Sequence, residues 1–374
     1  EYPDNGTKDF PEDSDLESEV TQVLDALNQA PDFAPAGADL QVPRADNTAP
    51  AGVIAVDKPL GVTSHDVVAR LRRLAGTRKV GHAGTLDPAA SGVLVAGIGR
   101  GTKLLQYLLG QKKTYVTRVC FGVETDSEDA EGTITATRGA TLADLGRLES
   151  ALSSWRGQVM QVPSAFSALK IRGKRAADRV RAGEEVRMEP RPITIYELLS
   201  LGEPKAGELA GTPVVYQDLQ VTCSAGTYVR ALGRDLGNQL GVGAHLVALR
   251  RLQVGSFSVS GAARSDVPFN AYSLAELSGL VAAGGELPIV SLEDICQHLF
   301  PSCQVTPEVI TALGYGQRPR IDSQLAHDLG INLEKISSPG NIYALTDSSG
   351  SPIFLAQQAG SFWRTVLNLH PSVD

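Results

Sequence analysis

The chain has little with which to build a metal centre, a disulfide framework or a membrane span. Only four of its 374 residues are cysteine (Cys120, Cys223, Cys296, Cys303), and they do not share a metal-binding spacing. The six histidines form no HxxxH or HxH cluster. No metal and no disulfide is therefore expected. No apolar run approaches the roughly 20 residues that a membrane helix needs, and no basic-then-apolar leader opens the chain. The expectation is a soluble, cytoplasmic protein. Neither GxGxxG nor GxxxxGK[ST] occurs, so the two common phosphate-cradling loops are missing and no cofactor is expected.

Charge is plentiful but unevenly spread. The net charge of −8 divides into −10 over residues 1–50, +9 over 51–265 and −7 over 266–374. A basic body between acidic flanks favours a polyanionic partner for the middle segment, although a modest basic excess is also common on plain soluble domains. Residues 1–50, acidic and scattered with Pro and Ala, read as a disordered arm.

The run GHAGTLDPAASGVL at 81–94 holds a single carboxylate, Asp87, among small residues, with Pro88 behind it and His82 ahead. Gly81, Gly84 and Gly92 are expected to take positive φ and to let a ligand approach the backbone. An Asp-Pro among glycines is also ordinary turn chemistry, and this stretch alone does not separate the two readings.

Around this run the pattern alternates between strand and helix. GVIAVDKP reads as a buried strand, and Thr63 to Asp66 cap a helix running to Leu74 with Val67, Val68 and Leu71 on its apolar side. Strands are expected at 91–98, 114–123, 192–201 and 214–224, and helices at 103–109, 141–155 and after GTYVR. An acidic loop is expected at 124–132. The segment 162–186 crowds Lys170, Arg172, Lys174, Arg175, Arg179 and Arg181 around glycines, a composition suited to a flexible clamp on a phosphate backbone. IYALTD and PIFLAQQ around SSGS read as a hairpin in a small β-rich domain at 288–374, with 266–287 as the connection to it. With no regular βαβ repeat, the class expected is α+β: a mixed or antiparallel sheet with flanking helices and a thumb loop.

Eight motifs in order carry a resemblance. They are DKPLGVTSHDVV at 57–68, GHAGTLDPAASGVL at 81–94, KxY ending at Tyr115, and TDSEDAEG at 125–132. VPSAFSALKIRGK at 162–174, RPITIYEL at 191–198, GTYVRALGRDLG at 226–237 and GAHLVALRR at 243–251 complete the set. On these the chain, from about 52 to 265, resembles the TruB family of bacterial tRNA pseudouridine synthases. The resemblance implies a pseudouridine synthase sheet core at 51–265 with a thumb at about 162–186, and a PUA-like domain at 288–374. It implies isomerisation of uridine 55 in the T-loop by a monomer that grips the T-arm and elbow of tRNA.

Breaking and remaking a glycosidic bond without releasing the base can begin from one ionised carboxylate. Asp87 would act as a nucleophile or as a base towards a sugar proton, and the sequence leaves both routes open. A hydrolase would instead want two carboxylates straddling the bond, and the loop around Asp87 offers no second acid. The resemblance pairs Arg230 with Asp87 and sets Tyr115 against the flipped uracil, with Tyr228 and Leu249 as pocket walls. It gives His82 the space left by the displaced nucleotide, Lys58 a supporting role, Asp129 a contact to RNA or pocket, and Lys170, Arg172 and Lys174 a grip on the backbone. The plainer readings are a surface ion pair for Arg230, a core aromatic for Tyr115 and a solvated loop around Asp129. The thumb departs from the family in carrying Ala177 where many members have Tyr. A tRNA-folding chaperone or a guide-RNA-dependent subunit on the same scaffold are the other functional readings.

Overall fold

The computed structural model describes residues 50–167, 169–171, 173–184, 186–259, 267–328 and 342–370. Except for Pro50, the acidic arm expected at 1–50 lies outside them. The apolar run GVIAVDK forms β1 (Gly52–Lys58) and leads through Pro59 into helix α1 (Ser64–Leu74). Thr63 caps that helix reciprocally: Asp66 N donates to its hydroxyl at 3.1 Å, and Thr63 N donates to the Asp66 carboxylate at 3.0 Å. Val67, Val68 and Leu71 then pack on Ile54 and Val56 of β1.

β2 (Val80–Ala83) and β3 (Ala90–Ile98) pair as a hairpin whose loop carries Asp87. The helix expected at 103–109 begins as a 3-10 turn over Gly99–Leu104 and becomes α2 only at Leu105–Leu109. β4 (Lys113–Phe121), β5 (Val123–Thr125) and β6 (Ile134–Thr137) follow, the last two framing the acidic loop, and α3 (Leu148–Trp155) leads into β7 (Gly157–Gln161). The basic segment, expected as a flexible clamp, holds regular structure among its described residues. β8 (Lys170–Ile171) and β9 (Lys174–Arg175) pair across Gly173 at φ +84°, and α4 (Ala176–Arg181) follows. A long hairpin of β10 (Arg191–Leu209) and β11 (Thr212–Cys223) precedes α5 (Val229–Leu240) and β12 (Ala244–Val254). β13 (Phe257–Val259), β14 (Phe269–Ser273) and α6 (Leu274–Ala282) complete this region.

Ten strands form one mixed sheet in the order β2-β3-β1-β14-β13-β12-β4-β11-β10-β7. β3 pairs additionally with β12, in parallel, so that Ala90, Ser91 and Gly92 lie opposite Leu249, Arg250 and Arg251. β12 continues antiparallel along β4, where Arg251 faces Tyr115. This junction brings three distant stretches of chain to one point.

The segment 266–287 is more than a connection. β14 lies inside the main sheet, parallel to both β1 and β13, and Leu274 and Leu277 of α6 join the apolar layer under α1. The apolar residues of 269–274 find unpaired strand edges on either side, which a linker would leave exposed. Beyond it come α7 (Leu292–Leu299), β15 (Ser302–Gln304), α8 (Pro307–Gly314) and α9 (Ser323–Asp328). β16 (Ile342–Thr346), β17 (Pro352–Ala359) and β18 (Phe362–Asn368) complete a second sheet, β15-β16-β17-β18, in which β16 and β17 form the expected hairpin. This region has its own cluster around the fully buried Trp363. Its Ile295, Leu355 and Leu367 also join the core that contains Val53, Val93 and Val116 of the main sheet. Among the described residues no helix is long and apolar enough to cross a membrane, and no His, Cys, Asp and Glu cluster is arranged to hold a metal ion.

The β3–β12 contact depends on a missing side chain. At Gly92, φ is +102°, and a Cβ there would lie 2.1 Å from the Arg251 carbonyl oxygen. Gly92→Ala must therefore strain its own backbone and also push β3 away from β12. A loss of on the order of 3 kcal/mol in denaturant unfolding is expected, from the two costs together.

Candidate active site

The two N-terminal motifs fold as one unit. The Ser64 hydroxyl donates to Leu86 O at 2.9 Å and accepts from Leu86 N at 3.0 Å, while Gly61 N donates to Pro88 O at 2.9 Å. Ala90 N closes the turn on Asp87 O at 3.0 Å. The Asp87 backbone is thus held on both sides, and its carboxylate remains 44% exposed. Of the glycines, Gly84 takes φ +82° at the start of this loop, as expected. Gly81 does not take positive φ: it is an ordinary strand residue of β2, where a Cβ would press on Leu105 at 3.1 Å.

Arg230 leaves the first turn of α5 and is only 8% exposed, so the surface ion-pair reading does not hold. Its Nη2 lies 2.9 Å from Asp87 Oδ2 and donates to Phe166 O at 2.9 Å. Its Nη1 donates to Ser127 O at 2.7 Å and stands 3.4 Å from Asp129 Oδ2. The planar fork matches two carboxylates and two carbonyls at once, which an ammonium could not. Asp129 is likewise not a solvated acid: its other oxygen accepts from Ser127 Oγ at 2.5 Å and Glu131 N at 3.2 Å. Although the Asp87 loop has no second carboxylate, folding supplies one across the guanidinium.

A cavity of about 530 Å³ opens beside this pair. Asp87, Tyr115, Tyr228, Arg230 and Leu249 all line it, with Lys113 and Arg251. Such a volume falls in the range of small-molecule sites and accommodates a nucleotide. Tyr115 is buried, and burial pushes its phenol above the ordinary value despite the Arg251 side chain bonded to it; it is neutral at physiological pH. Tyr228 precedes α5 with its backbone clasped by the Gln161 amide, which donates to Tyr228 O at 3.1 Å and accepts from Tyr228 N at 2.9 Å. Burial raises the Tyr228 phenol as well. A smaller recess, bounded by Asp87, Asp129, Arg230 and Leu246–Leu249, lies against the same ion pair.

A residue pattern this complete invites comparison with known proteins. The model of the TruB family pseudouridylate synthase N-terminal domain matches residues 72–229, and that of the tRNA pseudouridylate synthase B C-terminal domain matches 230–267. This chain belongs to the TruB family. It is similar to the tRNA pseudouridine synthase B of Arthrobacter sp. (strain FB24), 40% identical over 323 residues, or 86% of this chain and 97% of that one. The protein of the same name from Cutibacterium acnes is 47% identical over 244 residues, covering 65% of this chain and 81% of that one. Among solved structures, a chain from the crystal structure of a Cbf5-Nop10-Gar1 complex superposes with a TM-score of 0.57 at 23% identity, covering 86% of this chain and 85% of that one. That likeness concerns the fold, which is the α+β pseudouridine synthase fold.

Lys58 and His82 line neither the cavity nor the recess. Lys58 is fully buried and donates to Pro59 O at 2.9 Å and Val62 O at 2.7 Å, fastening the turn that abuts the Asp87 loop. Burial pulls its ammonium down to about 8. His82 is half-buried on β2, with its ring edge-on to His65 at 5.7 Å between centroids. Burial, His65 and Arg251 lower its pKa. In the basic segment, Arg172 lies outside the described residues, and Lys170 and Lys174 are described in their backbone alone.

Sequence reasoning missed the buried cations behind the tyrosine. Arg251, 1% exposed, donates to Val93 O at 2.7 Å and Gly84 O at 3.0 Å and so ties β12 to both flanks of the Asp87 loop. Lys113 donates to Leu109 O and Gln111 O, both at 2.9 Å, and burial pulls it to about 8. Its place in KxY, two residues before Tyr115 on one strand face, was the available signal. Because the folded Lys113 pKa lies below the ordinary lysine value of 10.5, the unfolded chain binds more protons between about pH 8 and that value. Stability contributed by this group therefore rises with pH across that window. Relative to Lys113→Met, the wild type is expected to gain stability from pH 8 to 10 in urea unfolding; a constant difference would refute the assignment.

Proposed function

We propose that the chain isomerises uridine 55 in the T-loop of tRNA to pseudouridine, as a monomeric cytoplasmic enzyme that grips the T-arm and elbow and uses no metal or cofactor. The observation that carries this reading is the Asp87 carboxylate, held 2.9 Å from a buried arginine at the mouth of a nucleotide-sized cavity walled by Tyr115. Relatives named tRNA pseudouridine synthase B, at 40–48% identity, support tRNA as the substrate.

The chemistry follows from the groups present. Arg230 holds one oxygen of Asp87 by a charge-assisted contact and so fixes the direction of the other. Whether that oxygen attacks the nucleoside or takes a sugar proton, an ionised and oriented carboxylate is the common requirement. The C1′–N1 bond breaks, the base turns while held in the cavity, its C5 joins C1′, and the proton lost from C5 is balanced by one gained at N1. Tyr115, kept neutral by burial, offers its ring face to the uracil and stands where the C5 proton leaves. Leu249 and Tyr228 narrow the walls and keep water from the intermediate. A uridine in a folded loop must be extruded first, and His82, on the strand before the Asp87 loop, fills the vacated stack. Lys58 supports the turn beside it, and Asp129 holds the far arm of Arg230. Lys170, Arg172 and Lys174 of the thumb hold the backbone, and residues 288–374 form a PUA-like addition to a catalytic domain at 51–265.

Purified protein is expected to form pseudouridine in an unmodified tRNA transcript and in an isolated T-arm hairpin, without guide RNA. Product only with a guide RNA would favour a ribonucleoprotein subunit, and binding without product a chaperone. Asp87→Asn should lower turnover by on the order of 10⁴-fold or more while tRNA affinity is retained. Loss of binding instead would make Asp87 structural.

A further inference from the structure

We infer that Glu128 and Arg234, which do not line the cavity, are positioning residues that hold the Arg230 guanidinium on Asp87 and tie it to the root of the thumb. This rests on the proposed function. Arg234 lies four residues beyond Arg230 on α5, so the two side chains leave the same helix face. They cross-link the same two segments. Arg230 reaches Ser127 O in the acidic loop and Phe166 O beyond β7; Arg234 reaches Glu128 Oε1 at 2.5 Å and Val162 O at 2.8 Å. Its third nitrogen, Nε, donates to Asp235 Oδ1 at 2.8 Å. Ser164, fully buried, stands between the pairs, with its hydroxyl 3.5 Å from Arg230 Nη1.

Glu128 itself argues for a positioning task. It is 8% exposed and has φ +66°, a conformation that a residue with a β-carbon disfavours. That turn is what presents Ser127 O and the Asp129 carboxylate, on either side of Glu128, to Arg230. Leu246 N donates to Glu128 O at 3.0 Å, and the Arg234 ion pair secures the side chain. A buried carboxylate deprived of its partner is costly, so the loop would relax towards solvent. Ser127 and Asp129 would move with it, and Arg230 would lose its bearings on Asp87. A pair that only stabilised the fold would not single out the chemical step.

The test is single-turnover pseudouridine formation with enzyme in excess over tRNA, alongside tRNA binding and thermal unfolding. Glu128→Gln should slow the chemical step about tenfold or more with tRNA affinity kept within about threefold, the signature of lost orientation without lost binding. Arg234→Lys, which keeps the charge but not the fork to Val162, should fall between wild type and Glu128→Gln. The double variant should be no slower than Glu128→Gln alone, because both changes break one linkage. An unchanged rate, a loss confined to tRNA affinity, or additive losses would each overturn the inference. If Glu128→Gln fails to fold, Arg234→Lys is read by the same rate and affinity measurements, with the same outcomes supporting or overturning the inference. A wild type inactive on tRNA would sink the proposed function and this inference together; an active wild type with unimpaired variants would sink this inference alone.

Discussion

Three separate stretches of the site meet on one guanidinium. Arg230 has less than a tenth of its surface in water, and it contacts Asp87, Asp129, Ser127 and Phe166 within 3.4 Å. A buried cation is tolerable only when its donors are satisfied, and removing a partner from such a pair costs about 3–5 kcal/mol. That penalty makes the arrangement exacting. The acidic loop, the chain beyond β7 and the Asp87 hairpin must all arrive at α5 together, because each supplies an acceptor that the arginine cannot do without.

The sheet makes that meeting possible. β12 runs between β3 and β4 at the level of Leu249 to Arg251, with Gly92 on one side and Tyr115 on the other. Arg251 extends the same logic into the interior, with its donors on Gly84 and Val93 on either flank of the Asp87 loop. Two buried arginines, one on α5 and one on β12, therefore hold the Asp87 loop, the first at its carboxylate and the second at the backbone on either flank. The Tyr115 phenol, bonded to Arg251, lines the same cavity as both, and burial keeps it neutral. Rigid backbone and a single exposed carboxylate suit chemistry in which the base must turn without leaving.

Much of this was legible beforehand because it is local. The Thr63 cap, the apolar face of α1, the all-buried β3 and the hairpin around SSGS follow from spacing and from residues acting on near neighbours. Motif order carried Asp87, Tyr115 and Arg230, and those three do converge on one cavity. Other features were not legible. Nothing local marks β14, since a five-residue strand becomes a strand only when β1 and β13 offer it two edges. Nothing in TDSEDAEG distinguishes a solvated acidic loop from one wrapped round buried arginines more than 100 residues away. Gly81 looked like its neighbours Gly84 and Gly92, yet only they take positive φ, and Gly81 is small for packing alone.

By itself the sequence determined the chemistry available: one carboxylate in a small-residue loop, a tyrosine on a strand, an arginine at a helix start, and no metal-ligand or nucleotide-loop pattern. It also determined the elements, through hydrophobic period and capping. Only the tertiary structure decided which charges are buried, and therefore which of them matter. Burial is a property of what packs around a side chain, and for Arg230 those neighbours come from three separate stretches, at Asp87, at Ser127 to Asp129 and at Phe166. The same burial turns Asp129 from a surface acid into the second carboxylate on Arg230, and Glu128 from a loop residue into the anchor of that loop.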